Sequence, residues 1–320
     1  MEADMEPQTE GYDSLIDERR MSNDEEAVLH ADTPLSSVIR PSSAIRRLLR
    51  LWKMYAVLDF TLLMSNMRLA VIWYLSDAVI NLASVAALLL LAERFAGIGA
   101  WSKDQVIFML GYATVVSGLM NVLFGYNVLV ISRRLGRGQL DHTLIQPQPV
   151  WMALLTEGFT PVSGSSVLLS GLALLIWGAQ RLGLSITLGW LALLAINLAA
   201  SSAVMMAFSF LTGSLAFWAP RAAEEISSSA IRLLSQLKYF PLDGLGSLLL
   251  GGLLSVLPVG LLAWYPSRAL LNIDSSGWAA WATPLAALIF AAVTSFIFAK
   301  GMRHYGRTGS QRYSDLGHRR

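Results

Sequence analysis

Arg133-Arg134-Leu135-Gly136-Arg137-Gly138-Gln139-Leu140-Asp141-His142-Thr143-Leu144-Ile145-Gln146-Pro147-Gln148-Pro149-Val150 is the most polar interruption between two long apolar runs of this chain. It opens with three arginines, which places it on the cytoplasmic side of a membrane. Gly136 and Gly138 weaken helix at its start. From Gln139 to Ile145 a short helix fits, with Leu140, Leu144 and Ile145 toward one face. Pro147 and Pro149 end it and bias the residues before them toward extended geometry. The stretch therefore reads as a short helix lying flat below the membrane, with an apolar ridge and an acid beside it. Such a surface suits the transfer of force between a soluble partner and the spans on either side; an ordinary loop is the plainer alternative.

Composition supports the membrane setting. Of the 320 residues 54% are hydrophobic and 14% charged, against about a quarter charged in ordinary globular domains. Mean hydropathy is +0.52. Several apolar runs reach the roughly 20 residues that cross a bilayer as helix. They are continuous and not alternating, which argues against a strand barrel. The expected class is an all-α polytopic membrane protein. The chain has no cysteine, which excludes thiol redox chemistry, thiolate metal sites and disulfides.

Toward the amino terminus, a second span is expected over 105–131, with Gly111, Ser117, Gly118 and Gly125 allowing close helix packing. A short outer loop, 93–104, carries Trp101 at the interface. A first span over 70–92 holds Asp77 and Asn81 on one face. A carboxylate at depth should face the bundle interior or water; a structural, hydrogen-bonded acid is favoured over a pore-facing or proton-coupling one. Residues 36–68 alternate basic positions (Arg40, Arg46, Arg47, Arg50, Lys53, Arg68) with apolar ones (Ile45, Leu48, Leu49, Trp52, Tyr55). This fits an amphipathic surface helix over anionic lipid, although 54–64 also reads as the beginning of the first span. Residues 1–35 hold eleven of the 22 acids and read as a disordered acidic cytoplasmic tail.

Toward the carboxy terminus, a third span is expected over 151–178, with Glu157 and Pro161 near its inner end and Trp151 and Trp177 bracketing it. A fourth covers 186–213, where Ser201, Ser202, Ser209 and Thr212 hydrogen-bond within the bundle or line a path. Residues 214–270 allow two partitions. Hydropathy takes 245–264 as the fifth span and leaves 221–240 as an inner surface helix. Alternatively 221–240 is a polar, pore-lining span, and 242–270 is a broken re-entrant element at the outer face, tolerated where protein buries it. The sixth span covers 279–299, and a basic cytoplasmic tail, 301–320, follows. Either partition gives a six-span domain over 69–300. Basic residues concentrate in 36–68, in the 133–137 loop and after residue 299, which puts both termini in the cytoplasm.

Four stretches resemble the membrane subunit of an ATP-binding-cassette exporter of the type-2 permease fold. The G-x-L-D-x-x-L-x-x-P signature of its bacterial branch reads here Gly138-Gln139-Leu140-Asp141-His142-Thr143-Leu144-Ile145-Gln146-Pro147. Ala216-Phe217-Trp218 follows the fourth span. Tyr239-Phe240-Pro241-Leu242-Asp243, Leu257-Pro258 and Trp264-Tyr265-Pro266-Ser267-Arg268-Ala269-Leu270-Leu271 follow in order. Arg303-His304-Tyr305-Gly306 with Gly309-Ser310 resembles the family's ending. The resemblance covers about 45–310; Gly246 stands where relatives often carry proline.

The resemblance implies a six-span permease that pairs with a second copy or a paralogue and docks on a separate cytoplasmic ATPase. Arg137, Leu140, Asp141, Leu144 and Pro147 of the coupling helix, about 138–147, are the implied docking residues. Asp77, Glu157, Glu224, Arg232, Pro258 and Arg268 are candidates for the translocation path or its gate, and the element near 242–270 would gate the exit. Under this resemblance 221–240 is the fifth span. The implied setting is the plasma membrane of a bacterium.

The chain itself contains no G-x-x-x-x-G-K-[ST] phosphate loop. ATP and magnesium are therefore expected on the partner chain, and no cofactor, metal, catalytic residue or nucleic-acid partner is expected here. A proton-coupled secondary transporter would rely on Asp77 and Glu157, but two similar halves are not evident. A membrane enzyme or scaffold is a weaker alternative, because His30, His142, His304 and His318 all lie outside the expected spans.

Overall fold

The computed structural model describes residues 41–94, 97–98, 100–129, 131–273 and 277–309. The expected acidic tail 1–35 and the end of the basic tail lie outside the described residues. The chain divides into two compact units, Met1–Arg47 and Leu48–Arg320. Of the first, only the opening turns of helix α1 are described.

Helix α1 (Pro41–Ser65) is followed after a single residue by α2 (Met67–Arg94). The two meet at 104°. Asn66 sits at the elbow, its Oδ1 3.4 Å from the Leu69 amide, as suits a residue that opens a helix. A two-residue hairpin, β1 (Gly97–Ile98) with β2 (Trp101–Ser102), leads into α3 (Lys103–Leu129). Three short helices follow: α4 (Ile131–Gly136), α5 (Leu140–Leu144) and α6 (Val150–Thr156). Then come α7 (Ser165–Arg181) and α8 (Leu188–Gly213), a 3-10 turn (Ser214–Phe217), and α9 (Pro220–Leu237). The segment after α9 holds α10 (Ser247–Ser255), a second 3-10 turn (Val259–Leu261) and α11 (Trp264–Leu270). The last helix, α12, runs Ala279–Thr308, beyond the expected end at residue 299.

Among the described residues, three helices are long and apolar enough to cross a membrane: Lys103–Gly125, Leu188–Phe217 and Ala279–Thr308. Two bent pairs, Ile45–Ser65 with Met67–Ile80 and Ser247–Ser255 with Val259–Leu270, raise the number to at most five. Helix α7, at 17 residues, is about 25 Å long.

The heart of the fold is the antiparallel pair α3 and α7, which glycine brings together. A Cβ on Gly111 would lie 2.4 Å from the Leu175 amide nitrogen, and one on Gly118 2.4 Å from the Leu168 Cα. The reverse contacts are Gly171 against Val115 and Gly178 against Phe108. Each helix thus presents glycines seven residues apart, and the two backbones touch, as small residues permit in membrane helices. Helix α8 packs on α12: buried Asn197 donates to the Leu193 and Ala280 carbonyls, and Thr294 to that of Ala207.

The expected third span is not one helix. Residues 157–164 are irregular between α6 and α7, and the reason is tertiary. A Cβ on Gly158 would overlap the Phe124 carbonyl oxygen, at 1.8 Å, so the chain must cross α3 there without a side chain. Directly opposite, α3 itself breaks at Gly125, whose φ of +49° is a left-handed value that favours glycine. The interrupted backbone finds partners: the Thr160 amide donates to the Val122 carbonyl and its hydroxyl to that of Asn121, both at 2.9 Å. Asp59 of α1, 7% exposed, accepts from the Val162 and Ser163 amides at 2.9 and 3.1 Å and from the Ser163 hydroxyl. One carboxylate thereby binds the first helix to the beginning of α7.

Candidate functional site: a junction at the base of the bundle

The arginine-rich stretch folds into a knot of short helices, and what holds them is a small core. Ile131, Leu135, Leu140, Leu154, Ala216, Phe217, Ala223 and Tyr305 pack together. They come from α4, α5, α6, the first 3-10 turn, α9 and α12. Gly138, at φ +70°, provides the left-handed corner between α4 and α5.

Within this junction Leu140 is 2% exposed, whereas Leu144 and Ile145 are 45% and 81% exposed. The side chain expected to be the first docking contact is therefore an anchor, because a five-residue helix packed by one face must bury that leucine. The apolar ridge left open is Leu144 and Ile145, with exposed Arg137 and Pro147 beside it. Asp141 accepts a hydrogen bond from the Tyr305 hydroxyl at 2.5 Å. The Tyr305 ring stands edge-on to Phe217, 6.0 Å between centroids. The last helix is held further by Trp218 stacked on His304 and by Gly301, which admits the Phe217 ring.

Two ion pairs extend the junction. Arg134 meets Glu157 at 2.5 Å with both side chains largely buried, tying α4 to the end of α6. Arg133 meets Glu224 at 2.7 Å, tying α4 to the first turns of α9, in a more exposed setting. Tyr55 of α1 lies close to the first pair. Burial, reinforced by the Glu157 carboxylate and opposed by Arg134, pushes its phenol above the ordinary tyrosine value. Glu157 and Glu224, expected as path candidates, are thus bonded to the arginines at the base.

The other candidates are scattered. Arg232 lies on the exposed face of α9 with Glu225, Ser228, Ser229 and Gln236, while Ala223, Ser227, Ile231 and Leu234 face inward. Pro258 is buried at the break between α10 and the second 3-10 turn. Arg268 donates to Asp243, and its guanidinium lies 5.1 Å from the Trp264 ring centre. Asp243 also accepts from the indole N–H of Trp101 and, at 2.6 Å, from that of Trp264. This knot fastens the segment after α9 to the hairpin before α3. Asp77 lies on α2, with the Ser166 hydroxyl 3.4 Å away.

Sequence reasoning did not assign roles to Tyr305, Asp59 or Asp243. Tyr305 and Asp243 both lie in stretches that carried the family resemblance, which was the available signal. Asp59 gave none beyond being an acid on an otherwise basic amphipathic helix. Among the described residues no group of three or more histidines or acids could hold a metal ion.

Residues 78–309, well over half of the chain, match the family model described as ABC-2 family transporter protein. No curated protein and no solved structure matches.

Proposed function

The chain belongs to the ABC-2 transporter family, and from that premise we propose that it is the membrane-spanning permease subunit of an ATP-driven exporter. The ATPase is a separate cytoplasmic chain, which binds ATP and magnesium. It docks on the ridge of Leu144 and Ile145, flanked by Arg137 and Pro147. The observation that carries this reading is the shared core at the base. An exposed apolar ridge on a short helix is joined there to α4, α6, α9 and α12, so a push on the ridge reaches several spans at once.

In this reading the six spans are α2, α3, α7, α8, α9 and α12, and both termini are cytoplasmic. The polar helix α9 lines the path, since its exposed face carries groups that lipid would not solvate. Two copies, or this chain and a paralogue, enclose the path between them. The pair α10 and α11, bent by 68°, is a re-entrant outer element. The Asp243 knot holds it closed at rest, and Arg268 is its movable partner. Movement at the base reaches α9 through Arg133–Glu224 and α12 through Asp141–Tyr305. The membrane is the plasma membrane of a bacterium. A proton-coupled carrier is the weaker reading, because Glu157 is bonded to Arg134.

The test is affinity capture of the full chain from its native membrane in mild detergent, beside the double variant Leu144→Glu, Ile145→Glu. A nucleotide-binding ATPase should accompany the natural chain and be lost from the variant. An equal amount of ATPase on both, or none on the natural chain, would overturn the docking assignment.

A further inference from the structure

The exposed surface of α9 carries two stripes. Glu225, Ser229, Arg232 and Gln236 follow one another at helical spacing and make a polar one. Ala222, Ile226 and Leu233 make an apolar one beside it, with Ile226 52% and Leu233 46% exposed. A span with one face on the core, one polar and one apolar suits neither lipid nor water alone. It suits an occupant that is itself amphiphilic.

Charge is sorted along the helix. From Ile226 to Leu242 the sequence has no acid, and its charged side chains are Arg232 and Lys238. Lys238 turns into the bundle, where its ammonium donates to the Ser117 hydroxyl and lies 5.1 Å from the Tyr239 ring centre. Arg232 faces outward and, among the described residues, meets no carboxylate. Glu225 of the same helix stands about 10 Å lower along the axis, beyond bonding reach. A second copy related by a two-fold axis along the membrane normal sets equal heights side by side, so Arg232 comes opposite its own counterpart. Two guanidiniums facing one another at membrane depth call for an anion between them. Ser229 on the turn below and Gln236 on the turn above add a hydroxyl and an amide donor.

We propose that this face of α9 binds an amphiphilic cargo with an oxyanion head, the Arg232 guanidinium taking two oxygens of the head and the stripe of Ile226 and Leu233 taking the chain. The proposal rests on the reading of α9 as the path-lining span; it adds the class of cargo.

The test uses the full chain in lipid nanodiscs with two photoactivatable hexadecyl probes, one headed by phosphate and one by trimethylammonium. Adducts are mapped by mass spectrometry. The phosphate probe should label 220–240 about fivefold more than the ammonium probe, as expected for one charge-assisted guanidinium contact. Unlabelled hexadecyl phosphate should suppress that labelling, and inorganic phosphate at the same concentration should not; equal suppression by both would mean a free-anion site and overturn the amphiphile. Arg232→Gln should bring the two probes close to parity. Arg232→Lys keeps the cation but loses the fork, and should retain part of the preference; it decides the case if the glutamine variant does not fold. Hydrogen exchange over α3 and α7 should be unchanged in the variants used. Equal labelling by the two probes in the natural chain, or a preference that survives Arg232→Gln, would overturn the proposal. So would an α9 that neither probe reaches while other lipid-facing segments label normally, since protein then covers it. No ATPase is needed, so the two readings fail separately. Capture of an ATPase with equal labelling overturns the anionic cargo alone, whereas a phosphate preference without any ATPase supports the anion site and overturns the exporter.

Discussion

Replacing Tyr305 by phenylalanine isolates one bond of the basal junction. The ring is 93% buried by its 7% exposure and stands against Phe217; phenylalanine keeps that packing. What is lost is the hydroxyl donated to Asp141. A hydrogen bond to a charged group contributes about 1.5–3 kcal/mol. Asp141 is only half-buried, so water compensates its carboxylate in part and the lower end applies. About 1.5 kcal/mol is roughly a tenfold change in the local opening of α5. The backbone bonds that report it are Asp141 amide to Gly138 carbonyl, Ile145 amide to Asp141 carbonyl and Gln146 amide to Thr143 carbonyl. Hydrogen exchange at these amides should accelerate about tenfold, while the glycine-packed pair α3 and α7 keeps its protection. Unchanged exchange over 138–147 would refute the view that Tyr305 positions the short helix. Equal loss of protection throughout the bundle would refute the view that its action is local.

Gly118→Leu forces a side chain where a Cβ already meets the Leu168 Cα at 2.4 Å; overpacking typically costs 1–3 kcal/mol or about that, and the Tm in detergent should fall, more than for Leu at open Gly251. Asp59→Ala leaves the Val162 and Ser163 amides without their acceptor, at about 1–3 kcal/mol for each unsatisfied group, and should expose 157–164 to proteolysis before the rest of the chain. A double-mutant cycle on Arg133 and Glu224, whose side chains are 48% and 25% exposed, should give a coupling of about 0.2–1 kcal/mol in thermal unfolding; a much larger value would mean that the pair is buried in the assembled protein.

Much of the architecture is legible in sequence for a simple physical reason. Long apolar runs have one way to satisfy their backbone in a bilayer, so α3, α8 and α12 lie where 105–131, 186–213 and 279–299 place them. Gly111 and Gly118, read as packing positions, stand where the backbones meet. The break at 157–164 is not legible, because Phe159, Pro161 and Val162 continue an apolar run, and what holds them open is a carboxylate 103 residues away. The inward turn of Leu140 is hidden for the same reason. Five residues of helix carry too little periodicity to say which side Phe217 and Tyr305 will cover. Asp243 reads as a loop acid until the fold brings Trp101, Trp264 and Arg268 around it. The polar helix α9 fits no simple hydropathy class, and only its sorting into a buried and an exposed face gives it a role.

The chain has no natural cysteine, so Ile145→Cys places a single thiol on the ridge itself. Cross-linking of that thiol in native membranes, with a membrane-impermeant maleimide applied from either side as control, asks whether an ATPase sits on the ridge. A cross-linked adduct with a cytoplasmic nucleotide-binding chain is expected, with maleimide labelling only from the cytoplasmic face and only once that chain is stripped away. Labelling from the outer face, or a freely reactive thiol that never joins an ATPase, would contradict the docking assignment.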